Sequence, residues 1–271
     1  MTTVISSRHH PLVKFARSLR ERRVRERERV FLVEGPKTIA DAVQAGYRPS
    51  HLFYVPTRLD PLEQKVVARA QAVGTRIIAV TERVLHEIAE TMTPQAVVAV
   101  FPIPSIPFRL PTAEPLFALI VDRLQDPGNL GTLLRSALGA GVHAVLLTPG
   151  TVDPFNPKVV RAAAGAHFHL PIATLDPVTI QREFPELEIV VACPQALRTY
   201  DERDWTRAAA VVIGSEAHGI SAELARLAAD EVRIPLRGGV ESLNAGVAGS
   251  IILFEAARQR RHAERTATTG E

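Results

Sequence analysis

Apolar residues near the start of the chain recur at helical spacing (Leu12, Phe15, Ala16, Leu19), which predicts an amphipathic helix. A strand-like run, VFLVEG (30–35), follows, then a helical pattern through Ile39, Ala42 and Val43 that ends near Gly46. The β-rich runs HLFYV (51–55), RIIAV (76–80) and AVVAVF (96–101) alternate with helical stretches at 61–73 and 81–90. Such alternation predicts a small α/β domain over residues 1–101. Residues 102–115 carry five prolines and little periodicity, and proline stiffens a chain while donating nothing to a ladder; a linker is expected there.

Beyond the linker the strands strengthen: 116–124, 143–149, 167–173, 187–193, 209–214 and 230–236. Helices fit between them at 130–139, 157–164, 177–184, 221–228 and 243–261. Asn156 before Pro157, and Ser221, look like helix N-caps. Near-continuous apolar strands separated by helices predict a mainly parallel sheet covered on both faces, over residues 116–261. The tail, 262–271, has no apolar pattern and is expected to be disordered.

Composition narrows the setting. The chain has 271 residues and 46% hydrophobic content, enough for one large domain or two small ones. No apolar run reaches the roughly 20 residues that span a bilayer, and the basic start leaves no room for a signal-peptide core, so a cytoplasmic protein is expected. One cysteine, Cys193, excludes an internal disulfide, and the nine histidines show no ligand spacing, so no metal is expected. Residues 1–30 hold nine Lys/Arg against three Glu, a local charge of +6 in a chain of net +3. A cluster of this kind favours polyanions, or else forms a solvated helix face. Its candidates for RNA contact are Arg20, Arg22, Arg23, Arg25 and Arg27.

In an open parallel sheet, ligands bind beyond the carboxyl ends of the strands. Three segments there are unusual. In DRLQDPGNLGTLLRSALGAGV (122–142) a strand gives way to an Asp-Pro-Gly turn, with Asn129 as a cap and Arg135 as a planar fork for phosphate or carboxylate. In VVIGSEAHGIS (211–221) a glycine-rich turn contains Glu216, which disfavours a phosphate ligand. In IPLRGGVESLNAGVAGS (234–250) Ser242 and Asn244 open a helix whose Gly246 and Gly249 imply close packing. Taken singly, each reads first as a structural feature: a capped helix, a tight turn, and a helix start with small-residue packing. Walker, GxGxxG, GxSxG, HExxH and CxxC patterns are all missing, which disfavours a P-loop hydrolase and a dinucleotide oxidoreductase.

Together, in order and spacing, the three segments resemble the signature motifs of the SpoU/TrmH branch of the SPOUT methyltransferases. The first is similar to Asp126-Pro127-Gly128-Asn129-Leu130-Gly131 with Arg135, the second to Ile213-Gly214-Ser215-Glu216 with Gly219, and the third to Ile234-Pro235-Leu236 with Ser242-Leu243-Asn244. PKVVRAAAGAHFHLP (157–171) resembles the family's segment between the first two motifs, and FLVEGPKTIADAV (31–43) resembles its amino-terminal RNA-binding domain, which is related to a ribosomal-protein fold.

The resemblance implies an α/β chain with a carboxy-terminal trefoil-knotted domain, homodimeric, that transfers methyl from S-adenosyl-L-methionine to a ribose 2′-hydroxyl of RNA. Ribosomal RNA is favoured over tRNA because of the separate amino-terminal domain; a non-catalytic ribosome-assembly protein with a relict knot is the alternative. By the same correspondence Asn129, Arg135, Glu216, Ser242 and Asn244 are the catalytic positions. Gly214, Ile234 and Leu243 would hold the cofactor, with Ala192 near its adenine.

Overall fold

The computed structural model describes residues 3–108 and 114–269. The chain forms two compact units: one runs to Ser105 and takes in Asp153–Phe168, the other comprises Ile106–Val152 and resumes at His169.

The first unit contains α1 (Pro11–Ser18), α2 (Arg22–Glu28), β1 (Val30–Glu34), α3 (Pro36–Gln44), β2 (His51–Tyr54), α4 (Pro61–Ala72), β3 (Arg76–Ala79), α5 (Glu82–Ile88) and β4 (Val97–Pro102). Its sheet has the order β1-β4-β2-β3, and only the β2–β3 pair is parallel. Both faces are covered, which explains the unbroken apolar run of β4. Val98 and Val100 pack with Val13 and Ala16 of α1, Leu19 just beyond it and Leu85 of α5, while Val97, Ala99 and Phe101 pack with Ile39, Ala42, Val66 and Ala70 of α3 and α4. α4 opens with a reciprocal cap, Asp60 accepting from the Glu63 amide at 2.7 Å and Glu63 from the Asp60 amide at 2.9 Å.

The second unit opens with β5 (Phe117–Val121), α6 (Pro127–Gly139) and β6 (Ala144–Leu147). The chain then contributes α7 (Pro157–Ala163) and a 3-10 turn at Ala166–Phe168 to the first unit before continuing through β7 (Ile172–Thr174), α8 (Pro177–Glu183) and β8 (Glu188–Ala192). β9 (Arg198–Thr199), β10 (Ala209–Ile213), α9 (Ala222–Leu227), β11 (Asp230–Arg233) and α10 (Ala245–Thr269) complete it. The sheet order is β7-β6-β5-β10-β8-β11-β9 and every pairing is parallel, so all the strands end at one edge. Ile120, Ile189, Val191 and Val212 pack with Ile180 of α8 and Leu224 of α9. The other face receives α10, whose Gly249 lies so close that a Cβ there would meet Leu133 of α6 at 2.3 Å and Ile213 of β10 at 3.0 Å.

Several expectations need correction. The expected amino-terminal helix is α1, and a second helix that the pattern did not predict, α2, follows it; between them the Leu19 and Arg20 carbonyls accept from Arg25 at 2.6 and 2.8 Å. The strand expected at 167–173 shrinks to β7. His167 and Phe168 are instead buried, Phe168 with Phe31, Phe101 and Val160 in the first unit's core. The domain limits 1–101 and 116–261 therefore miss the excursion of 153–168. The linker starts later than expected, since β4 includes Pro102, and Phe108 already packs edge-on against Phe184 at 5.1 Å within the second unit. Linker residues 109–113 lie outside the described residues. The tail is not disordered through 269: α10 continues to Thr269, through the helix-favouring Ala263, Glu264 and Arg265; 270 and 271 lie outside the described residues.

Candidate active site

The three motif segments meet at the carboxyl edge of the second sheet. α6 begins one turn earlier than its pattern suggested: the cap is Asp126, which accepts the Asn129 amide at 2.7 Å, and Pro127 occupies the first turn. Asn129 is therefore not the cap, and its side chain is free to reach outward. It donates through Nδ2 to Glu216 Oε1 and accepts through Oδ1 from Asn244 Nδ2 at 2.7 Å. Asn129 is thus the middle member of a chain Asn244–Asn129–Glu216 that links all three segments. Both ends of its amide are committed, which settles which way the side chain is turned.

Glu216 sits at the tip of a narrow loop. Ser215 and Gly219 exchange backbone hydrogen bonds of 3.1 and 2.7 Å across its base. The return is so tight that a Cβ on Gly214 would lie 2.5 Å from the Gly219 carbonyl oxygen, and Gly219 itself takes a φ of +63°. On the third segment, Asn244 Oδ1 accepts from the Val247 amide at 3.2 Å and steadies the start of α10.

Between these loops and the ends of β8, β10 and β11 lies a cavity of about 420 Å³. Ile213, Ile220, Val232, Leu236 and Ile252 give it an apolar wall, and Ser215, Arg233 and Glu241 add polar groups. All four expected cofactor residues (Ala192, Gly214, Ile234 and Leu243) line it, as do Glu216, Ser242 and Asn244. The volume is that of a small-molecule site, and a lining that mixes apolar, polar and charged groups suits a ligand that carries both an aromatic base and ionic groups. S-Adenosylmethionine fits that description.

Arg135 stands apart. It is exposed, does not line the cavity, and has no hydrogen bond or ion pair among the described residues. Sequence reasoning also missed two groups. Glu241 lines the cavity, and Asp122 is 1% exposed just beyond β5, holding Ser221 and Thr148. Asp122 had one legible signal, an acidic residue directly after a wholly apolar strand.

Residues 116–254 match the SpoU rRNA Methylase family, and residues 10–99 match the MRM3-like substrate binding domain. The chain belongs to the SpoU rRNA methylase family. It is 31% identical to the 23S rRNA (guanosine(2553)-2′-O)-methyltransferase RlmP of Bacillus subtilis, covering 92% of this chain and 97% of that one. It is 32% identical to the 23S rRNA (uridine(2479)-2′-O)-methyltransferase of Streptomyces viridochromogenes, with 98% and 95% covered. Among solved structures, an AdoMet-bound rRNA methyltransferase from Sinorhizobium meliloti superposes with a TM-score of 0.84 at 33% identity, covering 96% of this chain and 98% of that one.

For this SpoU-family chain the basic cluster needs revision. Arg25 is not available to RNA: it is 2% exposed, bonded to Asp153 through two nitrogens and to the Leu19 and Arg20 carbonyls. Arg20 donates to the Glu87 and Ala89 carbonyls at 3.1 and 2.5 Å, which finishes α5. Arg22 and Arg27 form exposed ion pairs with Glu26 and Glu28. Arg23 is exposed and has no such partner among the described residues. No group of three His, Cys, Asp or Glu able to hold a metal occurs among the described residues, and no described helix is long and apolar enough to cross a membrane.

Proposed function

We propose that this protein methylates a ribose 2′-hydroxyl of ribosomal RNA with S-adenosylmethionine as donor. The observation that carries the reading is the Asn244–Asn129–Glu216 chain, which brings the three motifs to the rim of one cavity. The two 23S relatives, one acting on guanosine and the other on uridine, support RNA of the large ribosomal subunit as substrate and leave the base open.

Ala192, Gly214, Ile234 and Leu243 would hold the cofactor, which when bound supplies an electrophilic methyl group on a sulfonium. The protein's part is to bring the 2′-oxygen into line with that methyl and to ease loss of its proton. Arg135 stabilises the developing alkoxide electrostatically, since a guanidinium keeps its own proton and cannot serve as a base. Asn129 and Glu216, held by their mutual bond, present polar groups beside the reacting ribose. Ser242 and Asn244 do the same from the start of α10.

The trefoil knot and a homodimer belong to the same reading, as does the cytoplasm as the place of work. Leu138 of α6 and Val247 and Phe254 of α10 are large apolar residues left exposed on two helices packed together, a surface suited to a second copy.

Labelled methyl transferred to unmodified ribosomal RNA, and recovered in an alkali-resistant dinucleotide, is the expected result. Transfer to tRNA instead would replace the substrate. Absence of both transfer and cofactor binding would make the chain a non-catalytic RNA-binding protein.

A further inference from the structure

The buried carboxylate of Asp122 has no part in the chemistry described above, and a side chain of this kind is costly to bury unless donors surround it. It follows β5 directly and is 1% exposed. Asp122 Oδ2 accepts from the Ser221 amide at 2.6 Å, and Oδ1 accepts from the Thr148 hydroxyl at 2.7 Å. The Thr148 oxygen accepts in turn from the Arg123 amide at 3.1 Å, with Arg123 in the left-handed region at a φ of +52°. Arg123 Nε adds a loose ion pair at 3.8 Å from a half-exposed side chain, longer than the two hydrogen bonds that hold the carboxylate.

These bonds join three places. Asp122 and Thr148 each lie one residue past a neighbouring strand, β5 and β6. Ser221 caps α9 and ends the loop that begins at Gly214. That loop carries Glu216 at its tip, and Ile213, Gly214, Gly219 and Ile220 form one wall of the cavity. Its base is clamped by the Ser215–Gly219 pair, and its exit is clamped by Asp122.

We infer that Asp122 is a positioning residue: through the Ser221 amide it sets the Gly214–Ser221 loop, and so both the wall of the cofactor cavity and the reach of Glu216 to Asn129. The inference rests on the catalytic reading of Glu216 given above.

The two oxygens have different replacements. In Asp122→Asn the amide oxygen can still accept from Ser221, while its NH2 donates to Thr148, whose hydroxyl has a lone pair to spare. In Asp122→Ala the Ser221 amide is left buried and unpaired.

The test measures S-adenosylmethionine affinity by calorimetry and methyl transfer to an in vitro transcript of 23S ribosomal RNA, at a temperature where every variant is folded. Asp122→Ala should weaken cofactor binding and lower kcat about tenfold each, the size expected for one unpaired buried donor, and Asp122→Asn should restore both to within about threefold. With Glu216→Gln already present, Asp122→Ala should lower kcat by no more than about twofold further, because both changes act on one loop. An Asp122→Ala protein that only melts earlier, with affinity and kcat unchanged while folded, would overturn the inference. So would the same tenfold loss of kcat with and without Glu216→Gln. If the alanine variant does not fold, Thr148→Val replaces it and must show the same paired losses in smaller size; unchanged values sink the proposal. If Glu216→Gln alone leaves kcat intact, the catalytic reading of Glu216 fails, and cofactor affinity then decides on Asp122 by itself.

Discussion

Arg25 on α2 and Arg135 on α6 carry the same side chain, the first on a polar helix and the second on a mostly apolar one, and their surroundings are the reverse of what that suggests. Arg25 is swallowed by the first unit: Asp153 neutralises it, and two carbonyls that would otherwise lack helical partners accept hydrogen bonds from its Nη1. Arg135 faces outward and no described residue competes for it. A guanidinium spends its five donors on whatever acceptors the fold supplies. Where the acceptors are internal it acts as a strut; where none is near it stays available for an anion from outside. Charge counted along the sequence cannot tell the two apart.

The largest expected effect is on the exposed member. Arg135→Ala should lower methyl transfer by about a thousandfold, as for loss of a group that stabilises charge in the transition state, with cofactor affinity unchanged by calorimetry. Loss of cofactor binding in this variant would break the comparison, because Arg135 would then be holding the cavity together.

Arg25→Ala should destabilise the first unit by about 3–5 kcal/mol, since it leaves Asp153 and two carbonyls uncompensated. Chemical denaturation measures this, and the Arg25 variant, while folded, should keep the wild-type salt dependence of RNA binding. A flattened dependence with unchanged stability would show that Arg25 reaches RNA after all.

His167 sharpens the picture of the same buried region. Its Nε2 lies 2.7 Å from the Pro154 carbonyl, its Nδ1 has no partner among the described residues, and burial pushes its pKa down to about 4 from 6.5. The folded state therefore keeps the ring neutral while the unfolded chain takes up a proton below pH 6.5. Stability contributed by this site is full above pH 6.5 and falls as the pH drops toward 4, by on the order of 3 kcal/mol in all. His167→Gln should flatten that part of the stability profile; an unchanged acid slope would assign it to other groups.

The smallest effects belong to the exposed arginines. Arg22→Ala and Arg27→Ala should change stability by less than about 1 kcal/mol, because their ion pairs lie in solvent. Arg23→Ala should lower the salt slope of RNA binding by about one counterion if it touches a phosphate, as a titration across salt concentrations would reveal. Equal slopes would leave the helix face merely solvated.

Much of the fold was legible. Strands buried on both faces read as apolar runs, and proline after Asp126, Asn156 and Asp176 marks helix starts because it needs no partner for a missing amide. The cavity residues were legible only through resemblance: Gly214 and Leu243 have nothing in their own chemistry that names a ligand. The excursion of 153–168 was not legible, since Phe155, Val160 and Phe168 are apolar residues that any core would accept. Nor was Asp122, whose role depends on Thr148 and Ser221, far along the chain.

By itself, then, the sequence determined most of the strands and helices and where most helices begin, because these rest on local periodicity and caps, while the three motifs stood out only as a set that resembles a family. Only the tertiary structure decided which arginine is a strut, which unit claims residues 153–168, and how Asn129 is turned between Glu216 and Asn244. Those outcomes depend on donors and acceptors brought together from distant parts of the chain, and a hydrogen bond between remote residues leaves no periodic trace in either stretch of sequence.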